Sequence, residues 1–154
     1  MPRISIGDSS LYYERHGGGF PVLLATGLSG YASYWREQLP AFARSFDVIA
    51  YDHRGVGRSD PSPAAFTVER LAEDVIRLMD ALQIEKAHVV GLSMGGFAAL
   101  HAGLRHADRV LSIVAAGAGY GAEKAHEDYF KGISEQVARN FQERGARDFA
   151  PTYA

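Results

Sequence analysis

The chain predicts an α/β protein built on a mostly parallel sheet with helices on both faces. Short apolar runs at residues 21–25, 47–51, 87–90 and 110–115 have the length of strands but lack the alternation of a sheet with one wet face. Segments of helical periodicity separate them, which calls for crossover connections between parallel strands. Glycine-rich turns follow the first and third runs, where the strands would deliver their carboxyl ends.

Ile4, Ile6, Leu11 and Tyr13 alternate with polar neighbours around Gly7-Asp8, the pattern of a β-hairpin. Gly17-Gly18-Gly19 breaks that pattern before the buried run 21–25. The turn Thr26-Gly27-Leu28-Ser29-Gly30 then leads to a helix expected over about 33–43. Residues 47–51 form the next buried strand, and a polar loop covers 52–63. Thr67 is a good N-cap, with Glu69 and Glu73 near the positive end of the helix that follows. Val68, Leu71, Ala72, Val75, Leu78, Met79 and Leu82 recur at three- and four-residue spacing, giving that helix one apolar face. The strand at 87–90 runs into Gly91-Leu92-Ser93-Met94-Gly95 and a small-residue helix ending near His106. Residues 110–115 are the last strand. The stretch 123–154 is charged and helical, with no strand candidate, so the chain divides into a core at 1–121 and a different helical part at 122–154.

Composition excludes several classes of function. With 16 basic and 18 acidic residues the net charge is −2, which gives no clustered basic face for nucleic acid. The chain has no cysteine, so disulfides, thiolate metal sites and cysteine nucleophiles are all absent, and no metal-ligand cluster or cofactor motif appears. The N-terminal residues contain no signal-peptide run, and no apolar stretch of about 18 residues suggests a membrane span. A cytoplasmic protein is the expectation. Gly117-Ala118-Gly119-Tyr120-Gly121 follows a strand, but its spacing is wrong for a dinucleotide loop.

The chemistry concentrates in Gly91-Leu92-Ser93-Met94-Gly95. A serine on a very tight turn between strand and helix has a strained backbone and an exposed Oγ, which suits a nucleophile. The positions two before and two after it must lack bulk, because strand and helix nearly touch there. Gly91 and Gly95 meet that need, and Gly96 extends the clearance. Acyl transfer also needs backbone N–H donors for the oxyanion. Met94, just after the serine, supplies one. Leu28 supplies the other, with Gly27 letting the backbone turn inwards. Tyr31, Tyr34 and Trp35 are candidates for lining a pocket mouth, or else for packing the first helix on the sheet.

Three motifs in order then resemble the α/β-hydrolase superfamily: the loop 26–30, Asp52-His53-Arg54-Gly55-Val56-Gly57-Arg58-Ser59-Asp60, and Gly91-Leu92-Ser93-Met94-Gly95-Gly96. The resemblance runs from about residue 3 to residue 120. It implies the α/β-hydrolase fold, cut before its last strands, with 122–154 as the start of a helical cap or lid. It implies a serine nucleophile at Ser93, an oxyanion hole at Leu28 and Met94, and a small-molecule acyl substrate. One departure is Thr26-Gly27 where many members carry His-Gly. Gly27-Leu28-Ser29-Gly30 with Ser33-Tyr34-Trp35 is similar to the aminoacrylate hydrolase and 3-oxoadipate enol-lactonase branch. In the middle motif, Arg54 and Asp60 are expected to satisfy the loop backbone and each other. A minor alternative gives Arg54 or Arg58 an acidic substrate. His53 is expected to be structural.

The resemblance also implies an acid and then a histidine after the serine, and no complete triad is identifiable. His101 lies eight residues past Ser93, roughly 12 Å along a helix. His106 ends that helix, and His126 sits in a charged segment. The expectation is a missing C-terminal half or a partner chain, with this chain alone inactive and its sheet edge prone to self-association. A non-catalytic binding or receptor protein on the same scaffold, and a cofactor-free haloperoxidase-like enzyme, are the alternatives.

Overall fold

A computed structural model describes residues 2–62, 67–119 and 124–153. The chain separates into two compact units, residues 1–118 and 119–154. The expected core boundary at 121/122 falls in 120–123, outside the described residues, as does the Tyr120-Gly121 end of the glycine-rich loop.

The first unit is a six-stranded sheet in the order β1-β2-β4-β3-β5-β6. The strands are β1 (Arg3–Ser5), β2 (Ser10–Gly17), β3 (Phe20–Ala25), β4 (Phe46–Tyr51), β5 (Ala87–Leu92) and β6 (Val110–Ala116). The first two form the antiparallel hairpin, with Ile4 opposite Leu11. β2 also runs antiparallel to β4, whereas β4, β3, β5 and β6 are mutually parallel.

The continuous apolar runs are explained by burial on both faces. Leu23, Ile49, Tyr51 and Val89 point to one side, where they pack against α2 (Val68–Ala81) and α3 (Met94–Arg105) through Ala72, Val75, Met79, Ala99 and Ala102. Val22, Leu24, Val48 and Ala50 point to the other side, towards Ala32 and Leu39. Each period-two alternation therefore serves two cores at once.

The N-cap of α2 is Thr67, whose hydroxyl accepts the Arg70 N–H at 3.3 Å. The helix expected over 33–43 is instead a 3₁₀ turn at Ala32–Trp35 followed by the single turn α1 (Leu39–Phe42). Pro40 stands in the first turn of α1, the position a proline tolerates, so the proline starts a new helix and does not extend the earlier one.

β6 ends the described sheet, with Leu111 and Val114 exposed. The second unit contains a short 3₁₀ turn at Lys124–His126 and α4 (Glu127–Tyr153), in which Gly145 at φ 73 joins two helical stretches at a kink. No described helix is long and apolar enough to cross a membrane.

Candidate active site

Ser93 sits at the junction of β5 and α3 with φ 53 and ψ −117, a region few non-glycine residues enter. Its surroundings account for that strain. Its N–H donates to the Ala116 carbonyl at 2.7 Å, tying the turn to the end of β6. Its own carbonyl accepts from Gly96 N–H at 2.8 Å and Phe97 N–H at 3.2 Å, so α3 begins at once. A serine at a helix start ordinarily folds its hydroxyl back onto the helix. Here the side chain makes no such cap and stays exposed. Met94 N–H is left in the open first turn of α3, where the helix presents unpaired donors.

The glycines answer to contacts. A side-chain carbon on Gly91 would overlap the Gly95 carbonyl, and one on Gly95 would overlap the Ala25 carbonyl and lie 2.5 Å from Thr26 O. At Gly96 it would meet the Ala118 side chain at 2.8 Å. β5, α3 and the end of β3 thus pack backbone to backbone, which positions the serine.

The loop after β3 closes on the same spot. Gly27 lies against Ser93, with its Cβ position 3.3 Å from Ser93 Cβ and 3.9 Å from Oγ. Gly30 N–H donates to Gly27 O at 3.0 Å, and Thr26 Oγ1 donates to Gly30 O at 2.9 Å. Leu28 and Ser29 form the exposed tip of this turn, Ser29 at φ 62. The structure therefore brings Gly27, Gly91, Ser93 and Gly95 together, with Leu28 and Met94 as their immediate chain neighbours. Tyr31 is exposed and meets Tyr34 edge-on at 5.9 Å between ring centres. Trp35 is half-buried and packs with the apolar cluster that α1 covers, and its Nε1 has no partner among the described residues.

The middle motif is a structural knot. Asp52 is fully buried and accepts from Ala32 N–H at 2.7 Å, Arg58 N–H at 3.0 Å and Arg58 Nε at 3.1 Å. Arg58 also lies over the Tyr12 ring, 3.4 Å from its centre. The expected Arg54–Asp60 pairing is corrected. Arg54 Nε and Nη2 each donate to Asp74 at 2.5 Å, while Asp60 accepts from Ser10 N–H and pairs with Arg3. The reason is that Asp74 faces inwards from α2 and is buried, so it takes the buried guanidinium, whereas Asp60 is at the surface. That fork, rather than a substrate, occupies Arg54 and holds its guanidinium above its ordinary range.

Sequence reasoning missed Asp74. Its place on the otherwise apolar helix face, one turn after Arg70 and Leu71, was the available signal.

Each histidine of the first unit has a partner other than Ser93. His16 lies 3.6 Å from Glu14, His88 Nδ1 is 2.7 Å from Ser112 Oγ, His101 is 4.0 Å from Glu69, and His106 Nε2 is 2.9 Å from Glu73. His53 is buried with Nε2 3.0 Å from Thr26 O, and burial pushes its pKa below the ordinary histidine value against the pull of that carbonyl, Asp74 and Asp52. Among the described residues no group of three or more His, Asp or Glu side chains could hold a metal.

A strained serine at a strand-to-helix turn, at the carboxyl end of a parallel sheet with glycines on both sides, has the backbone geometry that a nucleophile elbow requires. The chain belongs to the alpha/beta hydrolase fold family, whose model matches residues 21–154. It is 42% identical over 113 residues to a protein of Azorhizobium caulinodans named "Putative carbamate hydrolase RutD", covering 73% of this chain and 43% of that one. Among solved structures it is similar to an enol-lactonase from Burkholderia xenovorans, with TM-score 0.87, 28% identity, 99% of this chain and 58% of the other. It is also similar to a hydrolase from Pseudomonas aeruginosa, with TM-score 0.82, 30% identity, 97% of this chain and 56% of the other. The chain spans less than half the length of the curated relatives it matches.

Proposed function

We propose that the full-length protein hydrolyses an acyl bond in a small molecule, a carboxylic ester, lactone or carbamate, with Ser93 as nucleophile, this chain carrying the nucleophile and oxyanion hole but not the full triad. The observation that carries this reading is the φ 53, ψ −117 backbone of Ser93, with an exposed hydroxyl that does not cap its own helix. The relatives named as a carbamate hydrolase and an enol-lactonase act, by those names, on substrates whose reacting carbon is a carbonyl bonded to a heteroatom, which agrees with this reading.

In the first half-reaction Ser93 Oγ bonds to the carbonyl carbon while its proton passes to a base. The oxygen of the tetrahedral intermediate faces the N–H groups of Met94 and Leu28. Collapse expels the alcohol, enol or amine, which takes the proton from the base, and water then releases the acid by the same steps. The base is a histidine oriented by a carboxylate. Because His16, His53, His88, His101 and His106 are committed elsewhere, we place it outside the 1–118 unit. Residues 122–154 are read as the start of a cap, and the compartment as the cytoplasm.

Ser93→Ala tests the assignment. In the full-length protein, turnover of p-nitrophenyl acetate is expected to vanish while the thermal midpoint stays within a few degrees. Activity retained in the variant removes Ser93 from the mechanism. The histidine commitments favour one second reading, a binding protein without turnover. It predicts that a fluorophosphonate fails to label Ser93 while small carboxylates still bind.

A further inference from the structure

His53 stands one residue beyond the buried Asp52 in the loop after β4, and its ring is almost wholly enclosed. The Nε2 atom lies 3.0 Å from the Thr26 carbonyl oxygen. A carbonyl only accepts, so the ring proton is on Nε2 and Nδ1 is the bare nitrogen. That Nδ1 has no partner among the described residues, so the Thr26 contact is the ring's one hydrogen bond.

Thr26 is itself buried and held at several points. Its hydroxyl donates to Gly30 O, and the backbone of α3 at Gly95 presses on its carbonyl. In a planar trans peptide the carbonyl and the next N–H point in opposite directions. Holding the Thr26 oxygen on His53 therefore fixes the Gly27 N–H and the entry into the Gly27–Gly30 turn that carries Leu28. Gly27 in turn lies against Ser93.

We propose that His53 is a positioning residue: its Nε2–H anchors the Thr26 carbonyl, and through it the Gly27-Leu28 backbone is held in register with Ser93. The competing role is plain packing, because His53 also meets the Tyr51 ring edge-on at 5.1 Å. The catalytic part of the inference rests on the acyl-hydrolase reading, while the structural part does not.

His53→Phe keeps the aromatic packing and removes the donor. His53→Gln carries an amide N–H at about the same reach. Amide hydrogen exchange at Gly30, whose N–H closes the turn onto Gly27, is compared with Val75 in the core of α2. In His53→Phe, Gly30 is expected to exchange about tenfold faster relative to Val75, the scale of one lost hydrogen bond. In His53→Gln that gain is expected to be largely reversed. On p-nitrophenyl acetate, His53→Phe is expected to lower kcat about tenfold or more with KM within about twofold, and His53→Gln to recover most of it.

In the unsubstituted protein, nitrogen-15 NMR is expected to show a slowly exchanging ring proton on Nε2. A proton on Nδ1, an acceleration shared equally by Gly30 and Val75, or a kcat untouched by His53→Phe overturns the proposal. Absence of turnover in the unsubstituted full-length protein refutes the acyl-transfer reading instead, and the exchange and NMR results then decide the anchor alone.

Discussion

A carbon placed on Gly27 would stand 3.3 Å from the Cβ of Ser93, so the loop after β3 lies directly on the residue that follows β5. That spacing is tight but short of a collision, and the nearest atoms belong to one side chain and the Leu92 carbonyl at 3.5 Å. Gly27→Ala should therefore push loop and serine apart by a few tenths of an ångström without disturbing the core. The expected result is a kcat about tenfold lower, with a stability loss of no more than about 1 kcal/mol. Esterase kinetics paired with urea denaturation check both halves, and an unchanged kcat would detach this loop from the chemistry.

Gly95→Ala should behave in the opposite way. Its new carbon meets the backbone carbonyls of Ala25, the last residue of β3, and Thr26, which follows it, and neither can swing aside. Forcing α3 off β3 should cost about 3 kcal/mol or more, in the range of severe overpacking. A large drop in the urea midpoint, or loss of soluble protein, is expected. A midpoint close to that of the unsubstituted chain would mean that strand and helix are farther apart than these contacts require.

Gly91 and Gly95 also show why the elbow was legible in the sequence. Backbone-to-backbone contact admits only glycine, so a structural demand appears directly as residue identity at fixed spacing. β3, β4 and β5 were legible for a similar reason, since strands buried on both faces must be apolar throughout. Polar partners across the fold leave no such mark. Nothing local to Arg54 indicates that its carboxylate is Asp74, twenty positions away on α2, rather than Asp60 at the end of its own loop. The proton on His53 Nε2 is equally invisible, because the acceptor is a backbone carbonyl that any residue at position 26 would offer. The start of the 3₁₀ turn is set where Ala32 N–H is held by Asp52, again a contact between distant segments.

Breaking the Arg54–Asp74 fork should be far more damaging than replacing it. Both side chains are buried, and among the described residues Arg54 has a 3.4 Å contact with half-exposed Asp8 in reserve. Asp74→Ala leaves a guanidinium enclosed without its carboxylate, at an expected cost of about 3–5 kcal/mol. The double variant Arg54→Met/Asp74→Leu removes both charges and should lose clearly less. Urea midpoints of the two variants measure the difference, and equal losses would show that packing rather than charge governs this position.

The burial of His53 sets a pH dependence with a definite sign. Enclosure lowers its folded pKa from the ordinary value of 6.5, and the Thr26 carbonyl with the Asp74 and Asp52 carboxylates only partly offsets that. Between the folded value and 6.5 the unfolded chain binds more protons than the folded one, so stability falls as pH drops through this window and is fully restored above it. Asp60 and Glu69 are shifted downward from 3.8 and 4.5, so their contribution is lost at lower pH and does not mask the histidine. Protonation would also leave His53 as a buried cation, with a second N–H where no acceptor stands. Urea midpoints taken at about pH 7.5, 6.5 and 5.5 should decline for the unsubstituted chain, and decline less for His53→Phe. Parallel curves for the two proteins would place the acid sensitivity elsewhere, and would mean that the buried ring accepts its second proton at no greater cost than in water.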